Sequence, residues 1–493
     1  MSNLQFQDAT FVRRKMVGKI QTAESVRISV KNDIADVLSV GVDNVVNSYD
    51  ATEGEVTFYG KTAIKFLYND GVALSGSNYN ADFTASLQSD LITAESKCCF
   101  EVATVDSKVE TNANTATITV LLEVTAYAYV EESIPCFSDG DDVFVRKESL
   151  EVLQSADVRN LPLTVDEELS ATRTITTVLM AESSLCVCDY TNADGILHVS
   201  GDATVRLTYL SDGNVVTDAL PFKFDRELDA TEIPQEAQLK LTPFVRATKV
   251  RLDIAEDSVN TEFSVEISAT LCVEQTVTAV VDVAADAYGT DCDFVFQRRN
   301  VTTTLPCGSA IARKQTSGAL PVEEGKTAMT AVNVGALVTK CTSMEKCAQV
   351  EGVISATVLY QTETGVESTQ LELPFVQTAD VDFLATQCES FATVTVTDFV
   401  LSEKDGAMQF LAELCIAVDA FRDVTYNVIV SAEEKSFDKS QLPAIEVCLA
   451  HKGETLWELA KGLHMSEEDL LAVNPEITSP LEKDARIVVY NKI

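Results

Sequence analysis

Over most of its length the chain alternates apolar and polar residues with a period of two, the pattern of strands that bury one face and wet the other. The alternation is itself repeated. A tyrosine closes an alternating run eight residues after a glycine, at Gly60 and Tyr68, at Gly201 and Tyr209, and at Gly352 and Tyr360. The spacings of 141 (201 − 60) and 151 (352 − 201) residues set the repeat length. Ile64/Phe66/Tyr68, Val205/Leu207/Tyr209 and Ala356/Val358/Tyr360 each share one strand face. Asn69-Asp70-Gly71 and Ser211-Asp212-Gly213 read as hairpin turns, and residues 362–365 as a longer one. The next strand opens with Pro221-Phe222, Pro374-Phe375 or, in the first copy, Asp82-Phe83.

A second long alternating run follows in each copy. It comprises Ala116, Ile118, Val120, Leu122, Val124 and Ala126, then Phe263, Val265, Ile267, Ala269 and Leu271, then Phe410, Ala412, Leu414, Ile416 and Val418. These runs predict a mainly β protein of three tandem sandwich-like or barrel-like repeats, over 1–160, 161–304 and 305–437. Prolines at 162, 306, 321 and 443 mark expected linkers near 155–162, 303–322 and 433–444.

From about residue 445 the period changes. A short strand at Ile445–Leu449 precedes a helix capped by Thr455 with Glu458 three residues on, its apolar face carrying Leu456, Leu459, Ala460 and Leu463. Ser466 and Asp469 begin a second helix that Asn474-Pro475 stops, and Arg486–Tyr490 supplies a closing strand. Residues 438–493 thus read as a small α+β module of strand, helix, helix, strand.

Composition narrows the function classes. With 76 acidic against 37 basic residues the net charge is −39, a field that repels phosphate backbones and anionic lipid, so neither nucleic acid nor membrane insertion is expected. Arg13-Arg14-Lys15 and Arg298-Arg299 read as solvated cations or strand-edge protection. The polar N-terminus lacks the apolar core of a secretory signal, and 13 scattered cysteines suit reduced, partly buried thiols; a cytosolic location is the expectation.

Catalytic patterns are thin. The three histidines, His198, His451 and His464, fall in no zinc or nucleophile motif, and Gly325-Lys326-Thr327 lacks the first glycine of a phosphate loop, where Leu320 stands. Cys186 and Cys188 alternate onto one strand face as core thiols, and Cys98-Cys99 lacks a ligand spacer. Ser138–Asp142 lacks an ordered set of calcium ligands and reads as a solvated turn. No catalytic residue, metal or cofactor is expected.

The ordered set of Gly-x7-Tyr strand, turn, Pro-Phe entry and later alternating strand resembles the SPOCS domain, the repeated module of spore-coat morphogenesis proteins. In the second copy Asp286-Ala-Tyr288 followed by Asp291 to Phe296 resembles that domain's exit. Gly453-Glu-Thr-Leu-Trp457, Leu459-Ala460, Leu470-Leu471, Asn474-Pro475 and Leu481 are similar to a LysM domain. These resemblances imply a non-enzymatic scaffold of the mother-cell cytoplasm, at the forespore surface. Its LysM module would bind the coat basement-layer ATPase, stage IV sporulation protein A, and tether other coat proteins. The alternative they imply is a cell-wall or cortex protein that reads peptidoglycan or N-acetylglucosamine glycans. In either case the family's groove maps to Gly453, Glu454, Thr455 and Leu456 on one side and Asn474, Pro475, Glu476 and Ile477 on the other. The ending Val488-Val-Tyr490-Asn-Lys-Ile departs from that of many wall-binding LysM domains and favours a protein ligand.

Overall fold

The computed structural model describes residues 4–252, 261–320, 326–363, 365–404, 407–436 and 443–490. The long strands fall into three groups of six. The first is β1 (Leu4–Ser29), β2 (Asp36–Thr52), β3 (Glu55–Asn69), β4 (Leu74–Gln88), β5 (Lys97–Asn112) and β6 (Thr115–Gly140). The second is β7 (Val143–Ser170), β8 (Thr177–Ala193), β9 (Ile196–Ser211), β10 (Asn214–Asp229), β11 (Gln238–Leu252) and β12 (Glu262–Gly289). The third is β13 (Cys292–Ala319), β14 (Thr327–Met344), β15 (Cys347–Thr362), β16 (Gly365–Asp380), β17 (Glu389–Lys404) and β18 (Ala407–Ser436). A small module follows, β19 (Ile445–Ala450), α1 (Leu456–Gly462), α2 (Glu467–Val473) and β20 (Ala485–Tyr490).

Every group has one topology. Its first, sixth and fifth strands form an antiparallel sheet in that order, and its second, third and fourth form another. The two sheets enclose a core drawn from both. In the second copy Val205, Leu207 and Tyr209 of β9 meet Val265, Ile267, Ala269 and Leu271 of β12, and the matching residues of the other copies are buried in the same way. The alternating runs thus become the buried faces of the central strands.

Copy boundaries differ from those expected. Residues 160/161 and 304/305 lie inside β7 and β13, and the units run from 4 to 140, 143 to 289 and 292 to 436. Residues 155–162 and 303–319 of the expected linkers are strand. Pro162 and Pro306 sit on the outer strands of their sheets, where a missing N–H breaks no ladder bond on the open side. Pro321, and residues 437–442 of the third linker, lie outside the described residues, as do Thr364 of the third turn, Gly325 and residues 491–493.

The repeated glycines have a packing reason. Gly60, Gly201 and Gly352 pair across their sheets with Phe83, Phe224 and Phe375, whose rings come within 2.1, 2.9 and 2.6 Å of where a Cβ would stand. The aromatic ring fills the space the glycine leaves. In the second copy the matching aromatic is therefore Phe224, two residues beyond the Pro221-Phe222 pair expected from the sequence.

The copies close into a ring. β4 packs on β8, β10 on β14 and β16 on β2, a head-to-tail contact that returns to its start after three steps. Leu38 and Leu67, Leu179 and Met180, and Val332 and Leu359 meet in one apolar cluster. Elsewhere the paired ends of the long strands join, with Phe11, Ile134, Leu150, Val152, Val283, Val301 and Val428 in a second shared core.

Two buried polar sets add direction to this packing. In the first, Glu274 of β12 accepts from Arg14 Nε of β1 (2.9 Å) and the Tyr129 hydroxyl of β6 (2.5 Å), with Lys240 Nζ of β11 at 3.3 Å. The Arg14 guanidinium also lies 4.0 Å from the ring centre of Tyr127 and 4.4 Å from that of Phe391 in the third copy. In the second, Lys65 of β3 stands between Asp43 (2.7 Å) and Glu182 of β8 (3.8 Å), and Glu182 accepts from the Asn333 backbone N–H of β14 (3.0 Å).

Of the arginine pairs only Arg14 is buried, while Arg13, Arg298 and Arg299 keep solvent exposure on outer strands and also bond across copies. Arg13 bonds Asp423 (2.5 Å), Arg298 donates to the Ala285 carbonyl (2.6 Å) and Arg299 pairs with Glu132. Cys186, expected as a free core thiol, forms a disulfide with Cys415 between the second and third copies. Cys188 lies instead 3.6 Å from the Asp202 carboxylate. Of the acidic stretch expected as a turn, Ser138 to Gly140 end β6 and only Asp141 and Asp142 turn, with Asp139 paired to Lys147 at 2.8 Å.

Candidate functional site

The C-terminal module is built as its capping residues dictate. The Thr455 side chain accepts from Glu458 N–H, and Glu458 returns a bond to the Thr455 backbone; Ser466 accepts from Asp469 N–H. Ala460, Leu470, Leu481, Ile487 and Val489 form the core. Among the described residues no helix is long and apolar enough to cross a membrane.

The first predicted groove loop is bonded to the segment that follows the second. Gly453 N–H donates to the Leu481 carbonyl, Leu481 N–H to the Glu454 carbonyl, and Leu456 N–H to the Ser479 hydroxyl, each at 2.9 Å. Gly453 has open space around it at a φ of +95°, and Pro475 and Glu476 are exposed. Leu456 and Ile477 are half-buried against the module core.

Two of the predicted residues are occupied otherwise. Asn474 is 2% exposed, donating to the carbonyls of Leu470 (3.0 Å) and Val488 (2.8 Å) and accepting from Val488 N–H (2.8 Å). It locks α2 to β20 and has no amide left for a ligand. The Thr455 hydroxyl is spent on the helix cap.

Two features escaped the sequence reading. The first is the seat of the module on the second copy. Asp286 of β12 accepts from Trp457 Nε1 (2.9 Å) and Lys461 Nζ (2.6 Å), and the Tyr288 hydroxyl donates to the Met465 carbonyl (3.0 Å). The Tyr288 ring meets Trp457 edge-on and lies tilted against Phe144. Burial opposes the charge on Asp286, but its bonds to Lys461 and Trp457 hold the carboxyl below the usual range. Asp286→Ala is expected to loosen this seat by about 1.5–3 kcal/mol, the scale of charge-assisted hydrogen bonds. Trp457 is the one tryptophan of the chain, so a red-shifted fluorescence maximum in the folded variant checks it.

The second feature is an outward apolar row. On β19 Ile445, Val447 and Leu449 are 60%, 60% and 62% exposed, while the side toward the core carries Cys448. They pair with Tyr490, Val488 and Arg486 on β20, which places all six on one face of the two-stranded sheet. The alternation of this strand was legible; that its apolar side faces away from the core was not.

Elsewhere, the inner strands of the ring leave an axial cavity, of which one lobe of about 390 Å³ is lined by Thr104, Thr242 and Thr393 from the three copies. Its charged groups, Asp43, Lys65, Glu182 and Arg206, face one another, so it presents no single-sign site. The histidines do not converge on one another. His198 lies 3.6 Å from Glu227, His451 lies 3.8 Å from Asp484, and His464 packs beside the Gly289 carbonyl. Lys326 pairs with Glu367 at 3.0 Å. Among the described residues no group of three or more histidines, cysteines or carboxylates is placed to hold a metal ion.

Compared with protein-family models, curated proteins and solved structures, the chain matches none of them.

Proposed function

We propose that the protein is a non-enzymatic scaffold of spore-coat assembly, a SipL-like chain in which three SPOCS repeats carry a LysM module that binds stage IV sporulation protein A. The observation that supports this reading most is the seat of the module. A domain held by Asp286, Tyr288 and Trp457 against a ring of three copies presents its apolar row and open loop in one fixed direction, as an adaptor requires. The field of a −39 chain favours basic patches on the partner and raises the rate of encounter. The ring itself offers three related outer surfaces to other coat proteins, and several modest contacts at once raise effective concentration at the forespore surface. In this reading the protein works in the mother-cell cytoplasm.

The test immobilises the full chain and offers it the sporulation ATPase in one experiment and insoluble peptidoglycan in another. Capture of the ATPase is expected, weakened about tenfold or more by Val447→Asp, because apolar anchors dominate such interfaces. Glu476→Lys, on the exposed groove loop, reports whether the groove shares in the contact. Retention on peptidoglycan without capture of the ATPase would replace the scaffold by the wall-binding reading.

A further inference from the structure

The three copies close the connection between their fourth and fifth strands in the same way. Ile92 N–H donates to the Ser89 carbonyl and Ser96 N–H to that of Thr93; Ile233 and Ala237 repeat the pattern onto Ala230 and Pro234, and Leu384 and Cys388 onto Val381 and Ala385. The last residue of each turn, Ser96, Ala237 or Cys388, is buried. The first strands of the first and third copies also have a bulge at the same place, which leaves Val17 and Cys307 without a ladder partner, whereas in the second copy the bulge lies four residues earlier, at Gln154, and Val158 at the matching place pairs with Glu274.

Only the third copy puts a cysteine at both positions. There the two sulfurs lie 3.6 Å apart. Cys388 N–H donates to the Ala385 carbonyl, which fixes Cys388 in the turn, and the Phe383 ring of the same turn lies 3.1 Å from the Cβ position of Gly308, next to Cys307. Since the first and second copies close the same turn with Val17 and Ser96, and with Val158 and Ala237, at these places, the thiol pair is not needed to form it. It is an addition to a structure that closes without it.

We propose that Cys307 and Cys388 are an oxidisable pair, a covalent modification site at which hydrogen peroxide fastens the β16–β17 turn to β13. One thiolate attacks a peroxide oxygen, breaking the O–O bond to give a sulfenic acid and one water once protons are taken up. The second thiolate then attacks the sulfenic sulfur, forming the S–S bond and releasing the second water. Two thiols lose two electrons and two protons, and peroxide is reduced to two waters. Burial and the neighbouring thiol push Cys307 up to about 12, so its thiolate is scarce at neutral pH and its reaction with peroxide speeds as pH rises.

The experiment treats the full chain with hydrogen peroxide at pH 7 and pH 9, alkylates the remaining thiols, and maps the cysteines by mass spectrometry. The expected product is a peptide pair joined through Cys307 and Cys388, lighter by two hydrogens and formed faster at pH 9. Its formation raises the thermal midpoint of the chain but not that of a Cys307→Val, Cys388→Ala variant, whose residues are those of the sister copies. Thiols that stay open to alkylation, separate oxidation of each to a sulfinic acid, or a bond from either to another cysteine would each overturn the proposal.

Discussion

Glu274→Ala is expected to destabilise the ring by about 3–5 kcal/mol, because removing the carboxylate leaves the buried Arg14 and Lys240 without their shared counter-charge. The group draws its partners from two copies and its aromatic cover from a third, so the loss falls on the joint between copies. A lower urea midpoint, with faster hydrogen exchange in β1, β6, β11 and β12, is the result that checks it. Burial alone would raise the Glu274 carboxyl, but the charges of Lys240 and Arg14 and the Tyr129 bond hold it well below the usual carboxylate range. A lowered folded value means that the unfolded chain binds the proton first. The contribution of Glu274 is thus fully present above about pH 5 and is lost progressively as pH falls toward the folded value. Glu182 and Asp419, both raised chiefly by burial, run the other way and lose stability as pH rises through their folded values. The difference between wild type and variant as a function of pH reads out Glu274 together with its smaller effect on Asp419: the gap is widest near neutrality and narrows on acidification.

How much of this was legible in the sequence follows from the range of each interaction. Strand faces were legible because burial imposes a period of two on every run, as in Ala116 to Ala126 and Phe410 to Val418, and because Thr455 with Glu458 and Ser466 with Asp469 are local signals. Copy boundaries were displaced because β7 and β13 are each 28 residues long, several times an ordinary strand, and carry prolines that their outer position tolerates. The ring was not legible. Arg14 and Glu274 lie 260 residues apart, and nothing near either one marks the other as its partner. At the groove, the pairing of the two loops was implied only by the LysM resemblance, and the burial of Asn474 and the seat of Trp457 on Asp286 depend on contacts at separations of 14 and 171 residues.

Gly76→Ala is expected to open the joint between the first and second copies, at a cost of about 1–3 kcal/mol or more. A Cβ built on Gly76 in β4 would stand 1.5 Å from the Leu179 carbonyl oxygen in β8, and that obstacle is backbone, which cannot turn aside as a side chain can. The two strands must separate, and the shift is felt at once in the apolar cluster where Leu179 and Met180 meet Leu38, Leu67, Val332 and Leu359. Because the contacts β4 to β8, β10 to β14 and β16 to β2 form a closed cycle, relief at one joint strains the other two. The core of each copy is left intact, so the variant should keep its strand signal in circular dichroism while its urea transition broadens and hydrogen exchange rises first along β4 and β8. Gly335→Ala on β14 is the control, since its added methyl would meet nothing closer than 3.8 Å. A Gly76→Ala chain as stable as that control would mean that β4 and β8 do not abut, and the closed ring would have to be abandoned.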